Sequence, residues 1–145
     1  MNKYIYLIIS IFYLTSVLAI EKTKEEKVAK FVLENIHKDY TSCYAFYKIA
    51  EESFKKSNAK KTVIKGLVKS ADITLKFVHD LGEVLDLKPQ QMNEKNKKEI
   101  RKLSKIAKKD FNKLAQLYGL TCKQLIENQK QRIDYWENIG NKKIK

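Results

Sequence analysis

Apolar residues recur along this chain at intervals of three and four, the spacing that places side chains on one face of an α-helix. Beyond the first twenty or so residues, no segment alternates between apolar and polar positions for long enough to indicate a strand. The pattern therefore predicts an all-α protein, an irregular bundle of four to five helices. No linker rich in Gly, Ser or Pro and no internal repeat divides it, so we expect one domain over residues 20–145.

Three helices are predicted in the first half of this domain. The first covers Thr23–His37, and Asp39 is placed to cap a second helix that reaches Lys56. The third begins near Ala59 and carries the most regular apolar stripe in the chain. It should end at Gly82, because a glycine readily adopts the left-handed conformation that often closes a helix.

Two more helices are predicted in the second half, after a connector at Glu83–Lys88. The fourth begins near Pro89, since proline is well tolerated in a first helical turn, and continues until Gly119. The fifth begins at Thr121, which forms a capping-box sequence with Gln124.

The N-terminus has the composition of a secretory leader. Lys3 precedes an apolar segment, Tyr4–Leu18, and the small residues Val17 and Ala19 occupy the positions that signal peptidase inspects. An uncleaved membrane anchor is the alternative, but this segment would span only about 22 Å as a helix, against a hydrocarbon core of about 30 Å. We predict a signal peptide over residues 1–19, and export to the periplasm or the extracellular space.

Export bears directly on the only two cysteines, Cys43 and Cys122. In an oxidising compartment such a pair is most simply a disulfide, and two separately buried thiols are the alternative. Neither Cys has the C-x-x-C neighbour that redox catalysis needs. In a strict up-and-down bundle of the five predicted helices the two Cys would lie at opposite ends. The disulfide therefore favours a bundle in which one crossing is not antiparallel.

Charge adds a basic surface to this picture. The chain has 30 Lys and Arg against 17 Asp and Glu, a formal charge of +13 that becomes +12 when Lys3 leaves with the leader. Four basic residues of the fourth predicted helix follow one line opposite its apolar face: Lys98, Arg101, Lys105 and Lys109. We expect them to bind an anionic partner, such as anionic lipid headgroups, lipopolysaccharide or an acidic protein. Export would separate the protein from genomic nucleic acid, which we do not expect as a partner.

Two other interpretations of the surface stay open. Lys, Asn and Ile are all frequent, as in proteins from AT-rich genomes, so the lysines could simply keep the helices hydrated. Alternatively, the protein could be an inhibitor or a chaperone-like protein that docks on another exported protein through an apolar surface. Salt separates the two kinds of binding, because electrostatic binding weakens as ionic strength rises and apolar docking persists.

The sequence offers little for catalysis or for a cofactor. It has no P-loop, nucleophile elbow, H-E-x-x-H or dinucleotide glycine motif. His79 and Glu83 could present two metal ligands from one helix face, but two ligands do not make a specific site. We therefore predict a non-catalytic binding or structural protein without a cofactor. An uncharacterised hydrolase or a metal site around His79 is the alternative.

One group of aromatic residues surrounds Cys43, and a second lies on the helix that Cys122 is predicted to begin. The first group is Tyr40, Tyr44, Phe46 and Tyr47, and the second is Tyr135 and Trp136. A disulfide would draw the two groups toward one region, where they would fill the core or line a small ligand pocket.

Overall fold

The computed structural model describes residues 23–145 of the protein, and every regular element in that range is an α-helix. The five helices are α1 (Lys24–Lys56), α2 (Lys61–Val84), α3 (Pro89–Lys109), α4 (Phe111–Glu127) and α5 (Gln129–Lys143). The all-α prediction is thus confirmed for the described residues. The predicted leader, residues 1–19, lies outside them. None of these five helices combines the length and the apolar composition that crossing a bilayer requires.

The first two predicted helices are one helix, α1, of 33 residues and about 50 Å. Its start follows the sequence closely: the Thr23 hydroxyl accepts a hydrogen bond from the Glu26 amide, and the Glu26 carboxylate accepts one from the Thr23 amide. The predicted cap at Asp39 is wrong. Asp39 lies inside α1, and its carboxylate instead accepts hydrogen bonds from Arg132 and Trp136 of α5.

The α2 helix continues past Gly82 to Val84, so the predicted left-handed glycine is also wrong. Positive φ angles, 55° in both cases, fall instead on Asn58 and Asp86 in the loops at either end of α2. Position 82 has no room for a side chain, because a Cβ atom there would collide with the Met92 sulfur of α3. The absence of a side chain lets α2 and α3 approach closely where the chain turns back.

The fourth predicted helix is divided at Asp110. The start at Pro89 is confirmed, but α3 ends at Lys109 and not at Gly119. Asp110 has an extended backbone, with φ −160° and ψ 103°, and its carboxylate accepts a hydrogen bond from the Lys113 amide. An aspartate that bonds to the backbone in this way competes with helix continuation and caps the helix that follows.

The predicted start of the last helix is one turn or more too early. Thr121 lies inside α4, as does Gly119, and the break falls at Asn128. The capping-box pattern at Thr121 is not used, because α4 is held continuous by contacts that its residues make with α1. Cys122 and Leu125, which follow the expected cap within one turn, are both fully buried there.

The α1 helix is central and packs against each of the other four. Ring contacts show that α4 runs antiparallel to it, since Phe54 contacts Phe111 whereas Phe46, earlier in α1, contacts Tyr118. Still earlier, Phe31 contacts Trp136, so α5 continues in the direction of α4 and does not reverse it. The two short helices therefore form one bent strip that lies along the whole length of α1.

The remaining helices complete the bundle. Tyr40 stacks on Phe77, and Leu81, later in α2, lines one groove with Val32 and Ile36, earlier in α1, which makes α2 antiparallel to α1. The Ser42 hydroxyl donates to the Glu99 carboxylate at 2.9 Å, which places the middle of α3 beside the first half of α1. The described fold thus has four lengths of helix around one core, with the fourth made of α4 and α5.

The expected disulfide partners meet inside this core. Cys43 and Cys122 are buried, with their Cα atoms 5.3 Å apart and their sulfur atoms at bonding distance, 2.05 Å. The two Cys do not lie at opposite ends of the bundle, as a strict up-and-down arrangement of the five predicted helices would require. Cys43 lies in the middle of α1, and α4 passes it in the antiparallel direction. Around the pair, the fully buried side chains include Ile36, Tyr40, Val78, Leu103, Leu114 and Leu125.

Candidate functional site

The α3 helix presents the four predicted anion-binding residues to solvent. This basic face consists of Lys98, Arg101, Lys105 and Lys109, all of which are exposed. On the opposite side of the helix, Leu103 is fully buried in the core. Within residues 23–145 none of the four makes an ion pair. Their charges therefore remain available to another molecule.

Two acidic residues of the bundle form ion pairs with lysines outside the basic face. Glu51, almost fully buried, is bound by Lys48 at 2.6 Å and by Lys55, and these hydrogen bonds lower the pKa of its carboxyl. On α3 itself Glu99 pairs with Lys102 at 2.9 Å, and that hydrogen bond raises the pKa of the Lys102 amine. Lys102 is thus a compensated cation of α3, and it lies between the basic face and Glu99.

A second set of basic residues continues this surface at one end of the bundle. The contact of Phe54 with Phe111, with ring centroids 6.0 Å apart, brings the end of α1 next to the junction of α3 and α4. Exposed lysines of both regions therefore surround that end: Lys55, Lys56, Lys60, Lys61, Lys108, Lys109 and Lys113. The basic face of α3 runs from this end toward the middle of the bundle.

A cavity of about 470 Å³ lies at the Lys98 end of the basic face, between α1, the connector after α2, and α3. We call it the α1–α3 cavity. Polar and charged residues line most of it, namely Lys30, Glu34, His37, Lys38, Thr41, Ser42, Lys95, Lys98 and Glu99, and two leucines of the connector, Leu85 and Leu87, complete the wall. Lys98 belongs both to this cavity and to the basic face.

His37 is the buried titratable group of the cavity. Only 3% of the residue is exposed, and its Nε2 atom has no hydrogen-bond partner in the described part of the chain. Burial lowers the pKa of the imidazole, the nearby Lys95 ammonium lowers it further, and a hydrogen bond to the Val78 backbone opposes the shift. The folded protein therefore holds His37 in the neutral form near neutral pH.

This lowered pKa predicts that the protein loses stability as the pH falls below 6.5, the ordinary value for histidine. In that range His37 is protonated in the unfolded chain but stays neutral in the folded protein, so lowering the pH favours unfolding. Lys38, Lys95 and Lys98 line the same cavity as His37, and the two carboxylates there, Glu34 and Glu99, are engaged with other cations. Urea unfolding measured between about pH 7 and 5 should show this decline in the free energy of unfolding. This range lies above the pH at which the carboxylates take up protons.

Two variants isolate the contribution of His37 to that decline. His37→Gln should flatten the dependence of the free energy of unfolding on pH, because the titrating group is gone. His79→Gln, at the only other histidine of the chain, should keep it. An unchanged pH dependence in His37→Gln would contradict the assignment.

An apolar groove of about 430 Å³ lies on another side of the molecule, between α1 and α5. Its floor is formed by Val28, Ala29, Val32, Leu33, Ile36, Leu81 and Ile133, with polar residues at the rim. Large apolar side chains are also exposed at Val84, Leu117 and Leu120. These are the apolar surfaces that docking on another protein would use.

The surroundings of His79 do not assemble a metal site in the described residues. No group of three or more His, Cys, Asp or Glu side chains converges there or elsewhere in residues 23–145. The neighbouring carboxylate of Asp80 is bound by Lys76 at 2.6 Å, and Glu83 is exposed. His79 therefore offers a half-buried side chain without a cluster of ligands around it.

The aromatic residues of the two predicted groups form separate ring contacts. Tyr40, which is fully buried, stacks on Phe77 with ring centroids 4.6 Å apart, and burial raises the pKa of Tyr40 to about 12. Phe46 contacts Tyr47, and Trp136 lies with Tyr135 beside Arg132 of α5. Rings of the group around Cys43 line neither the α1–α3 cavity nor the apolar groove. They fill the core.

The four residues of the basic face lie on one exposed side of α3, whereas the α1–α3 cavity was not predicted. The sequence predicts His37 at the end of a short helix. One signal could have corrected this: Ile36, Tyr40 and Cys43 keep the helical spacing through Asp39, and that continuity places His37 inside a longer helix.

Comparison of the chain with protein-family models, with curated proteins and with solved structures found no match. The function must therefore be argued from the geometry of the site.

Proposed function

We propose that this protein is a non-catalytic binding protein whose basic face engages an anionic surface, with the phosphate groups of anionic lipid or lipopolysaccharide as the partner. The observation that carries the proposal is the set of four exposed cations on one line of α3, none of them paired within the described residues. Export, as the leader predicts, would bring the protein to such surfaces.

The chemistry of the face indicates how selective this binding is. Three of the four residues are lysines, whose ammonium groups act as point charges and do not form the two-pronged contacts of arginine. Each basic residue near an anionic membrane contributes about 1 kcal/mol, and the attraction falls off within a Debye length. We infer binding that depends on charge density and salt more than on the structure of one headgroup.

The test is binding of protein expressed from the full-length sequence to vesicles of phosphatidylglycerol and phosphatidylcholine. Changing Lys98, Arg101, Lys105 and Lys109 to Gln should weaken binding at low salt by at least about tenfold, given the contribution of each charge. The matched control replaces four exposed lysines on other helices, Lys76, Lys123, Lys130 and Lys142, and thus makes the same change in net charge. Sedimentation with vesicles measures the binding of both quadruple variants.

Three results would count against the proposal. The first is no binding of the wild-type protein to anionic vesicles at low salt, and the second is equal weakening in the two quadruple variants. The third is binding that persists at high salt, which would favour the second candidate function, docking on another exported protein. The apolar groove between α1 and α5 is the observation that supports that candidate.

A further inference from the structure

The α1–α3 cavity has positive charge that the protein itself does not neutralise. Of its two carboxylates, Glu34 lies 3.7 Å from Lys30, and Glu99 accepts hydrogen bonds from Ser42 and Lys102. Three lysines at the wall have no ion-pair partner within residues 23–145, namely Lys38, Lys95 and Lys98. All three are exposed, so their ammonium groups can turn toward a ligand without first leaving a buried partner.

A buried polar atom without a partner adds a second, independent observation. His37 lines the cavity, is 97% removed from solvent, and its Nε2 atom makes no hydrogen bond in the described residues. Folded proteins seldom leave such atoms unpaired, and an exception calls for an explanation such as a missing ligand.

The connector supplies the apolar part of the site. Leu85 and Leu87 line the cavity from the segment between α2 and α3. A free inorganic ion would leave this apolar wall without a contact, whereas a carbon skeleton attached to an anionic group would cover it. The volume of about 470 Å³ falls in the range that small-molecule sites occupy.

From these observations we infer that the α1–α3 cavity binds an organic phosphate monoester. The phosphate lies among Lys38, Lys95 and Lys98, and the carbon skeleton packs against the two leucines. A dianionic group balances three unpaired ammonium groups better than the single charge of a carboxylate does. Such a monoester occurs both in small soluble molecules and at the headgroup of phosphatidic acid.

The inference goes beyond the proposed function, with which it shares Lys98. Binding to an extended anionic surface needs the outer line of α3, whereas the cavity needs residues of α1, of the connector and of the first half of α3. The two sites can therefore be disabled separately. Lys38 and Lys95 belong to the cavity alone, and Arg101 and Lys105 belong to the basic face alone.

The experiment titrates the protein, expressed from the full-length sequence, with two phosphate monoesters, glycerol 3-phosphate and monomeric dihexanoyl phosphatidic acid. The ring signals of the two histidines, followed by NMR, report binding, with His79 as the internal reference. We expect saturable movement of the His37 signals and little movement of those of His79. Binding of both ligands identifies the shared phosphate chemistry, and binding of phosphatidic acid alone identifies a lipid source; both support the inference.

Paired variants locate the site. Lys38→Gln with Lys95→Gln should weaken binding of the monoester by at least about tenfold, because each lysine removed takes away a charge-assisted contact. Arg101→Gln with Lys105→Gln makes the same change in net charge and should alter the affinity by less than about twofold. Circular dichroism checks that both pairs fold, as expected for substitutions at exposed positions.

Three outcomes would overturn the inference. Neither monoester moves the His37 signals, or glycerate, the corresponding carboxylate, moves them as far, or both paired variants weaken binding equally. Loss of vesicle binding alone would not bear on the cavity, because glycerol 3-phosphate reaches it without the outer face. The failure of one proposal can thus be told from the failure of the other.

Discussion

Replacing both Cys43 and Cys122 by Ala is expected to lower the free energy of unfolding by about 4 kcal/mol. The two residues are separated by 79 positions, and a cross-link that closes a loop of this length removes much of the conformational entropy of the unfolded chain. Both residues are buried, so the smaller side chains also give up contacts in the core. Since domains are stable by only about 5–15 kcal/mol, this is a large fraction of the total.

Urea unfolding followed by circular dichroism measures this loss, with linear extrapolation to water. The control is a reducing agent, which should destabilise the wild-type protein by a similar amount and leave the variant unchanged. The disulfide prediction fails if wild-type protein, isolated without reductant and then denatured, shows two free thiols. It also fails if reduction leaves the wild-type midpoint where it was.

The position of the pair explains why its effect should be global. It joins the middle of α1 to α4, close to Tyr40, whose hydroxyl reaches the Leu125 carbonyl oxygen at 3.4 Å. The disulfide holds both α4 and α5 against α1, because α5 follows α4 along α1 after the break at Asn128. Loss of the cross-link therefore loosens the attachment of the whole bent strip to the central helix.

The sequence predicted those parts of the fold that are decided locally. The start of α1 next to Thr23, the end of α1 at Lys56 and the start of α3 at Pro89 depend on neighbouring residues, and all three are found in the structure. The helical spacing of apolar residues likewise predicts an all-α fold, because the spacing is repeated in every helix.

The wrong boundaries arise where a distant contact decides between local signals. Asp39 and Asp110 look alike in sequence, each a capping residue beside an apolar segment. Asp110 does cap a helix, whereas Asp39 bonds to Arg132, 93 positions away, and leaves α1 unbroken. No pattern within a helical turn distinguishes these outcomes, since the deciding partner is brought near only by folding.

The candidate site likewise has one part that the sequence predicts and one part that depends on contacts between distant residues. The basic face lies on a single helix, so its spacing alone placed Lys98, Arg101, Lys105 and Lys109 on one side. The α1–α3 cavity combines residues of α1 with residues of α3 that lie more than fifty positions later in the chain, together with two leucines of the connector. Its existence depends on how these segments pack, and the lysines that line it could not be told in sequence from others on the surface.

The contact that corrects the prediction at Asp39 also has a large expected effect on stability. Its carboxylate accepts hydrogen bonds from Arg132 Nε at 2.7 Å, from Arg132 Nη2 at 3.2 Å and from Trp136 Nε1 at 2.6 Å. The side chains of Asp39 and Arg132 are only 16% and 27% exposed, so solvent screens the pair weakly. The guanidinium also lies over the rings of Tyr135 and Trp136, at 4.5 and 4.9 Å from their centroids.

Asp39→Ala is therefore expected to lower the free energy of unfolding by about 2–3 kcal/mol. The substitution leaves a largely buried guanidinium and an indole N–H without their acceptor, and removal of one partner of a buried pair costs about 3–5 kcal/mol. Partial exposure reduces that figure, and the higher helix propensity of Ala offsets a few tenths more. Urea unfolding measures the loss, and fluorescence of Trp136, the only tryptophan, reports the local change in the folded state.

The matched control is Asp134→Ala on α5. Asp134 also binds a basic residue, Lys130 at 2.9 Å, but the two side chains are 50% and 83% exposed, and such pairs contribute about 0.5 kcal/mol or less. Equal losses in the two variants would show that Asp39 does not anchor α5. If Asp39 does anchor α5, Asp39→Ala should lower the free energy of unfolding by less in the variant that lacks both Cys43 and Cys122. Cys43 lies one turn from Asp39 on α1, and both residues attach α4 and α5 to α1.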